Sequence, residues 1–498
     1  MLSTLFDCYL MIRKKKLVYE LIIEDTFERI INKIMVYINY IHKYKKLFIN
    51  KFSLFFIIIL LIKYISKNNQ NYNLLNNENF IQIEKDLNLT FYKPIRKKIN
   101  LGIYAYGIKN GGRARCTALL LNYLDKIKVF NLYLFTRKLK EENEYIVPEK
   151  IKRILVNDNL INEIKKNRID ILIYQLSFQD EIKMLNNLNF IKVIFYQHLG
   201  IFDWIYGNYS IFKSIYKEYI NSKYIINIIP YENDYIFKKW GISSILMNNF
   251  MTYDFKRIIP SNLSSDKILM IGRGDAKKKR FRIGIQAMEY INKELPKIQL
   301  IIVSDLIGTY KLQALINNLN LEENIKFLGY SSSPEIFFKN TSLNLFPSIS
   351  EAFPLVLCET KIYGIPNILL GLDYTSISKG GTVIINDETP ETFAKEAIKI
   401  LKSDKYKYEL GDKARISMKQ FNNDILLIKW IKLIISIYNG DKHYEELRRQ
   451  SKGLSELENR NIIENQIRLL KIRLPIFKNI TIRDFENFSF MEKYTIIN

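Results

Sequence analysis

From residue 99 onward the chain repeats one pattern, a short β-branched apolar run followed by an amphipathic stretch of helical period. Strands alternating with helices in this way build a parallel sheet, because a parallel pair needs a crossover long enough to hold a helix. Candidate strands in the first half lie at residues 100–106, 129–135, 169–176, 191–197 and 224–229, with a helix-like segment at 115–124 among their connections. The pattern restarts at 267–271 and continues at 299–303, 325–328, 343–346, 367–370 and 382–385, after a junction near 241–265. The fold class is therefore α/β, with two doubly wound domains, residues 98–245 and 246–435. In open parallel sheets ligands bind beyond the carboxyl ends of the strands, so the loops after these runs are where chemistry is expected.

Composition limits that chemistry. A chain of 498 residues, 48% hydrophobic, buries more than one core and is no small binding module. Cys8, Cys116 and Cys358 lie far apart without C-x-x-C spacing, which suggests neither a disulfide framework nor a zinc site. His42, His198 and His443 are the only histidines, so a histidine metal centre is not expected. The excess of 75 Lys+Arg over 51 Asp+Glu gives a formal +24, which favours anionic partners. Part of that excess belongs to solvated faces of a chain rich in Ile, Asn, Lys and Tyr. No aromatic-basic alternation or zinc-finger spacing points to specific nucleic-acid binding.

Residues 52–62 carry no charge, and widening the window to 47–65 admits only Lys51 and Lys63. A span of that width crosses a bilayer if its lysines snorkel, as a single-pass anchor. Lys43, Lys45, Lys46 and Lys51 before it, against Lys63 and Lys67 after it, then place the N-terminus in the cytoplasm. The competing reading is an interfacial or buried helix, helped by the helical spacing of apolar residues in 17–41. The anchor and the interfacial helix, unlike a buried one, make membrane contact through residues 47–65 an expectation for a protein otherwise cytoplasmic. Residues 66–97 are Asn- and Lys-rich and read as a linker, closing an N-terminal extension over 1–97; residues 436–498 form a charged, helical tail.

The most informative stretch is 348–366, SISEAFPLVLCETKIYGIP. It follows the run 343–346 and enters an apolar helix near Phe353 or Pro354. Proline suits a first helical turn, whose free amides can face an anion such as a diphosphate. Glu351 sits in the approach to that turn and Glu359 eight residues further along the helix. A carboxylate at a helix mouth is suited to accept hydrogen bonds from sugar hydroxyls, leaving phosphate to amides and cations. Two glutamates at this spacing, taken alone, are more often surface residues.

The run E-A-F-P-L-V-L-C-E, with S-x-S before it and G-I-P after it, resembles the paired-glutamate motif of the retaining glycosyltransferases of family 4. Two further stretches share the resemblance. Residues 267–288, KILMIGRGDAKKKRFRIGIQAM, resemble that family's strand, Gly-Arg, lysine and helix; residues 103–124 resemble its Gly-Gly loop and first acceptor-domain helix. The similarity covers roughly 99–435 and implies the GT-B architecture of two Rossmann-like domains. It further implies that Glu359 binds the nucleotide ribose, that Glu351 binds the donor sugar, and that Arg273 and a following lysine neutralise the departing diphosphate. Prepositioned cations make sense there, since charge develops on the phosphate in the transition state. The family usually has Lys-Gly at that point, whereas this chain has Lys277-Lys278-Lys279-Arg280; Lys279 is the preferred candidate, with Lys278 next and a solvated basic run the alternative.

The same resemblance assigns Gly272, Phe353, Pro354 and Leu355 to donor binding, and Gly329, with Tyr330, to the base pocket through backbone contacts. Gly111 and Gly112 either approach the ligand or simply make a tight strand-to-helix turn. His198 ends the run IKVIFYQH, where it either meets the donor sugar and assists proton movement or serves as a structural histidine. Asp203 and Trp204 are candidates for the acceptor pocket. The implied reaction is transfer from a nucleotide-diphosphate sugar to a glycan, lipid-linked or protein acceptor hydroxyl with retention, without a metal or other cofactor. Rival readings are another GT-B enzyme such as a sugar-nucleotide epimerase, or an inactive GT-B protein that binds an acidic membrane surface or nucleic acid.

Overall fold

The computed structural model describes residues 97–487, apart from short stretches at 110, 208, 256, 273–275, 306–309, 332, 373–374, 441–442 and 451–454. The N-terminal segment 47–65 and Arg273 therefore lie outside the described residues. Among the described residues no helix is long and apolar enough to cross a membrane.

Two parallel sheets organise the chain. The first contains β1 (Ile99–Ala105), β2 (Phe130–Thr136), β3 (Lys152–Leu155), β4 (Ile171–Tyr174), β5 (Lys192–Gln197), β6 (Tyr224–Asn227) and β7 (Ser244–Leu246), ordered β3-β2-β1-β4-β5-β6-β7. The second contains β8 (Lys267–Ile271), β9 (Gln299–Val303), β10 (Ile325–Phe327), β11 (Leu343–Phe346), β12 (Asn367–Leu370) and β13 (Thr382–Ile385), ordered β10-β9-β8-β11-β12-β13. Strand order reverses beside β1 in one sheet and beside β8 in the other, the doubly wound arrangement that opens a crevice at the strand ends. Central strands are buried on both faces; β1, β4, β11 and β12 are wholly so, which is why they read as continuous apolar runs.

The sequence pattern overlooks β3 and β7. In β3, Lys-Arg-Ile-Leu, only Ile154 is buried, and β7 is three residues long. Both are outermost in their sheet, where polar residues and short length suit an edge.

Six helices matter to the site. α1 (Gly111–Leu124) follows β1, and α2 (Ile201–Gly207) follows β5. α3 (Phe281–Glu294) follows β8 and packs Phe281, Ile285, Met288 and Ile291 into the second core. α4 (Leu355–Ile362) follows β11. α5 (Asn423–Asn439) carries Trp430, wholly buried, edge-on to Tyr196 of β5 at 5.3 Å, so the chain has by then returned to the first sheet. α6 (Glu456–Arg473) begins with a capping box between Ser455 and Glu458.

The residues after α6 complete the first domain. Phe485 stacks on Phe202 at 5.6 Å, and its carbonyl accepts a hydrogen bond from the Trp240 indole at 2.9 Å. Phe477, Ile480 and Phe485 are fully buried. At roughly 1.5–3 kcal/mol per large apolar side chain, this segment is an integral part of the packing.

Lys361 of α4 is wholly buried and donates to the carbonyls of Ile377 and Lys379. Burial pulls its amine down to about 8. Between pH 8 and the ordinary lysine value, the unfolded chain then holds a proton that the folded chain lacks, so this group makes stability rise with pH. Urea unfolding from pH 7 to 10 checks it: relative to Lys361→Met, the wild type should gain on the order of 3 kcal/mol across that window.

Candidate functional site

A cleft of about 840 Å³ opens between the carboxyl ends of the two sheets. On the first domain it is lined by Tyr106 after β1, Lys138 after β2, the start of α1 and His198 after β5. On the second it is lined by Gly272 after β8, Ser304 and Asp305 after β9, and the segment joining β11 to α4. The topology alone collects these residues, because all the strands of each sheet are parallel and end on one side.

The segment between β11 and α4 supplies both glutamates. Pro354 caps α4 with extended backbone and no side chain caps the helix, so its first amides stay available to an anion in the cleft. Glu351 pairs with Lys279, whose ammonium also lies 5.4 Å from the centre of the Phe346 ring. Glu359 is fully buried and forms an ion pair with Arg115 of α1 at 2.7 Å, across the domain boundary. Beyond Arg115 and the Thr252 hydroxyl, nothing among the described residues holds the Glu359 carboxylate. Burial raises its pKa, and Arg115 and the Thr252 hydroxyl pull it back.

The cleft brings together Gly111, Gly112, His198, Gly272, Lys278, Lys279, Glu351, Phe353, Pro354, Leu355 and Glu359. Gly329 has φ +70, a turn that places Tyr330, rather than Gly329, on the cleft wall. Gly111 opens α1 at φ +83, which a side chain resists, whereas a Cβ on Gly112 would meet open space.

Arg280, where the resemblance leads one to expect glycine, takes the left-handed conformation, φ 49 and ψ 42. A non-glycine residue there costs about 1–2 kcal/mol. The ion pair from its guanidinium to Glu388 offsets that cost, and Lys279 keeps its place one residue before the turn.

His198 is held by Gln175, 3.1 Å from Nε2, and Gln175 in turn accepts from Thr117 at 2.6 Å. Burial, with Arg113 nearby, lowers its pKa well below the usual imidazole range, so the ring is neutral at pH 7. Asp203 bridges the domains: it accepts from Ser350 at 2.8 Å, and Lys278 donates to its carbonyl at 3.0 Å. Trp204 is buried. Arg473 of α6 reaches Glu388, the Tyr206 hydroxyl at 3.2 Å and the Ile349 carbonyl at 3.3 Å, two residues before Glu351.

Sequence reasoning missed Arg115, Tyr145 and Arg473. Arg115 was in view in the Gly-Gly-Arg-Ala-Arg run, but Arg113 and Arg115 point to different sides of a helix and only the packing tells which meets Glu359. Tyr145 comes from an irregular stretch with no period to read. The guanidinium of Arg115 lies 5.9 Å from the centre of its ring.

Residues 253–417 match the family described as Glycosyl transferases group 1, so the second domain is a domain of that kind. An N-acetyl-alpha-D-glucosaminyl L-malate synthase of Bacillus anthracis is 28% identical over 183 residues, 36% of this chain; the match spans about half, 48%, of that relative. A diphospho-undecaprenol N-acetylgalactosaminyltransferase of Campylobacter jejuni is 26% identical over 291 residues, 52% of this chain and 77% of the relative. Among solved structures, sucrose-phosphate synthase from Thermosynechococcus elongatus superposes with a TM-score of 0.56 at 15% identity, covering 69% of this chain and 100% of that one. HepE of Anabaena, in complex with UDP and glucose, gives 0.56 at 14% identity, covering 68% and 99%. The fold is thus the two-domain Rossmann-like architecture of the GT-B glycosyltransferases.

Proposed function

We propose that this protein is a retaining glycosyltransferase that moves a sugar from a nucleotide-diphosphate donor to an acceptor hydroxyl. The observation that carries the reading is Glu359: a fully buried carboxylate on the cleft wall, held from the other domain by Arg115, on the helix whose first turn faces the same space. A vicinal diol satisfies such a group, since each hydroxyl donates to one oxygen. In this reading Glu351 orients the donor sugar, and Lys279, Arg273 and the amides opening α4 stabilise the leaving diphosphate without a metal ion. His198, neutral and giving its Nε2–H to Gln175, accepts from a sugar hydroxyl through its other ring nitrogen. Closure of the domains through Asp203, Ser350 and Lys278 keeps water from the donor.

For the acceptor we propose a lipid-linked glycan. Near the cleft the first domain exposes Tyr106, Leu139 and Ile146, the last at 87%, in a stretch that mixes Lys138 and Lys140 with Glu141, Glu142 and Glu144. The Campylobacter relative's name specifies a diphospho-undecaprenol-linked acceptor, which agrees with apolar side chains exposed near the cleft.

Thermal unfolding against a panel of nucleotide diphosphates and nucleotide sugars tests the donor assignment. One base series should raise the midpoint of the wild type by several degrees, and Glu359→Ala should abolish the shift, because a ligand that prefers the folded state adds to its stability. No shift from a folded wild type would remove the enzymatic reading. Proton NMR of the first-formed product reads retention directly.

A further inference from the structure

Glu359 has two claimants. One is the ribose diol of the proposed donor; the other is Arg115, already on the carboxylate at 2.7 Å. The guanidinium comes from α1, in the other domain, and its side chain is only 15% exposed. It is hemmed in by the Tyr145 ring, and it and Glu359 both belong to the cleft wall. Both oxygens of Glu359 are enclosed, so a diol reaches them only by displacing a group that covers them, and the Arg115 guanidinium at 2.7 Å is such a group.

We propose, resting on the glycosyltransferase reading, that Arg115 and the nucleotide's vicinal diol are mutually exclusive ligands of Glu359, and that this exchange selects donors that bring their own anion. Removing a carboxylate from a poorly exposed guanidinium strands a charge, which costs more than the diol's hydrogen bonds return. A ligand that carries a diphosphate supplies a replacement anion in the same cleft, and arginine is well suited to take it in a two-pronged contact. A nucleoside, with the diol but no phosphate, supplies none and is rejected. Arg115 is thus a specificity-determining residue placed in the donor site by the acceptor domain. Its effect is to discriminate on charge at a carboxylate that contacts only hydroxyls.

The test compares a nucleoside with its diphosphate, using the base identified by the thermal panel, by calorimetric titration of wild type, Arg115→Gln and Arg115→Lys. The expected result is that Arg115→Gln binds the nucleoside tenfold or more tightly than the wild type while diphosphate affinity stays level or falls, so that the preference for diphosphate collapses. Arg115→Lys should keep most of that preference. The gain should vanish with the 2′-deoxynucleoside, which has no diol to offer Glu359. A parallel loss for both ligands, or a gain retained by the 2′-deoxynucleoside, overturns the proposal. Should Arg115→Gln not fold, Arg115→Lys decides alone, and an unchanged nucleoside affinity together with a lost diphosphate preference rejects it. A wild type that binds no nucleotide at all would instead reject the glycosyltransferase reading on which this rests.

Discussion

Replacing Lys279 by methionine is expected to lower the rate of nucleotide diphosphate release from the donor by about 10²–10³-fold, with little change in donor KM. The reason lies in timing. In the proposed reaction the sugar–phosphate bond places its charge on the diphosphate as it breaks, so a cation fixed beside that oxygen would act mostly on the transition state. Lys279 is fixed by Glu351 on one side and by the Phe346 ring on the other, and the left-handed turn at Arg280 holds the residue that follows it. Lys278 is a sharp control: its ammonium is engaged with Asp203 of the first domain, so Lys278→Met should act chiefly through domain closure and raise KM. Initial rates for both variants separate the two roles. Equal kcat in Lys279→Met and wild type would show that the leaving group is stabilised elsewhere.

The second large effect is on stability. Arg473→Met should cost about 3 kcal/mol, the lower end of what breaking a buried ion pair costs, because Glu388 keeps its second partner, Arg280. Only 3% of the Arg473 side chain is exposed, whereas Glu388 is 25% exposed, so water makes good part of the loss and the lower end of the range applies. Burial pushes the Glu388 pKa up, but Arg473 and Arg280 more than offset it and hold it below the ordinary carboxylate value. Its contribution is therefore present at neutral pH and is lost as pH falls through the folded-state value. Denaturant unfolding of the two proteins at pH 7 and again at acid pH should show the gap narrowing in acid. A gap independent of pH would mean that Arg473 acts by packing alone.

The layout of the fold was legible because burial on both faces writes itself into composition. Gln299–Val303 and Leu343–Phe346 fall on the residues the pattern marks. The first sheet's strands are displaced by one to a few residues, and at β3 and β7 the apolar runs, Ile154–Val156 and Ile245–Met247, are too short to stand out. That the glutamates, Lys278 and Lys279 line the cleft was legible for a different reason, since each follows a strand whose carboxyl end opens there. What a linear reading lacks is pairing at a distance. Neither Arg115 on Glu359 nor Arg473 on Glu388 can be inferred from neighbours in the chain, because the partners are joined only when separate elements pack. The tail was visible as helices, but its role in the first domain depended on where Phe485 lands.

That landing sets an order of events during synthesis. The first sheet has all its strands once β7 has been made, yet Trp240 must wait for a partner 245 residues further along. At about 5–20 residues per second the interval is roughly 10–50 s. Throughout it the aromatic surface that Phe485 will cover, with Phe202 at its centre, is open to any passing apolar segment. The nascent chain therefore emerges with one domain left ajar while the other is assembled behind it, a natural place for a ribosome-associated chaperone to hold on.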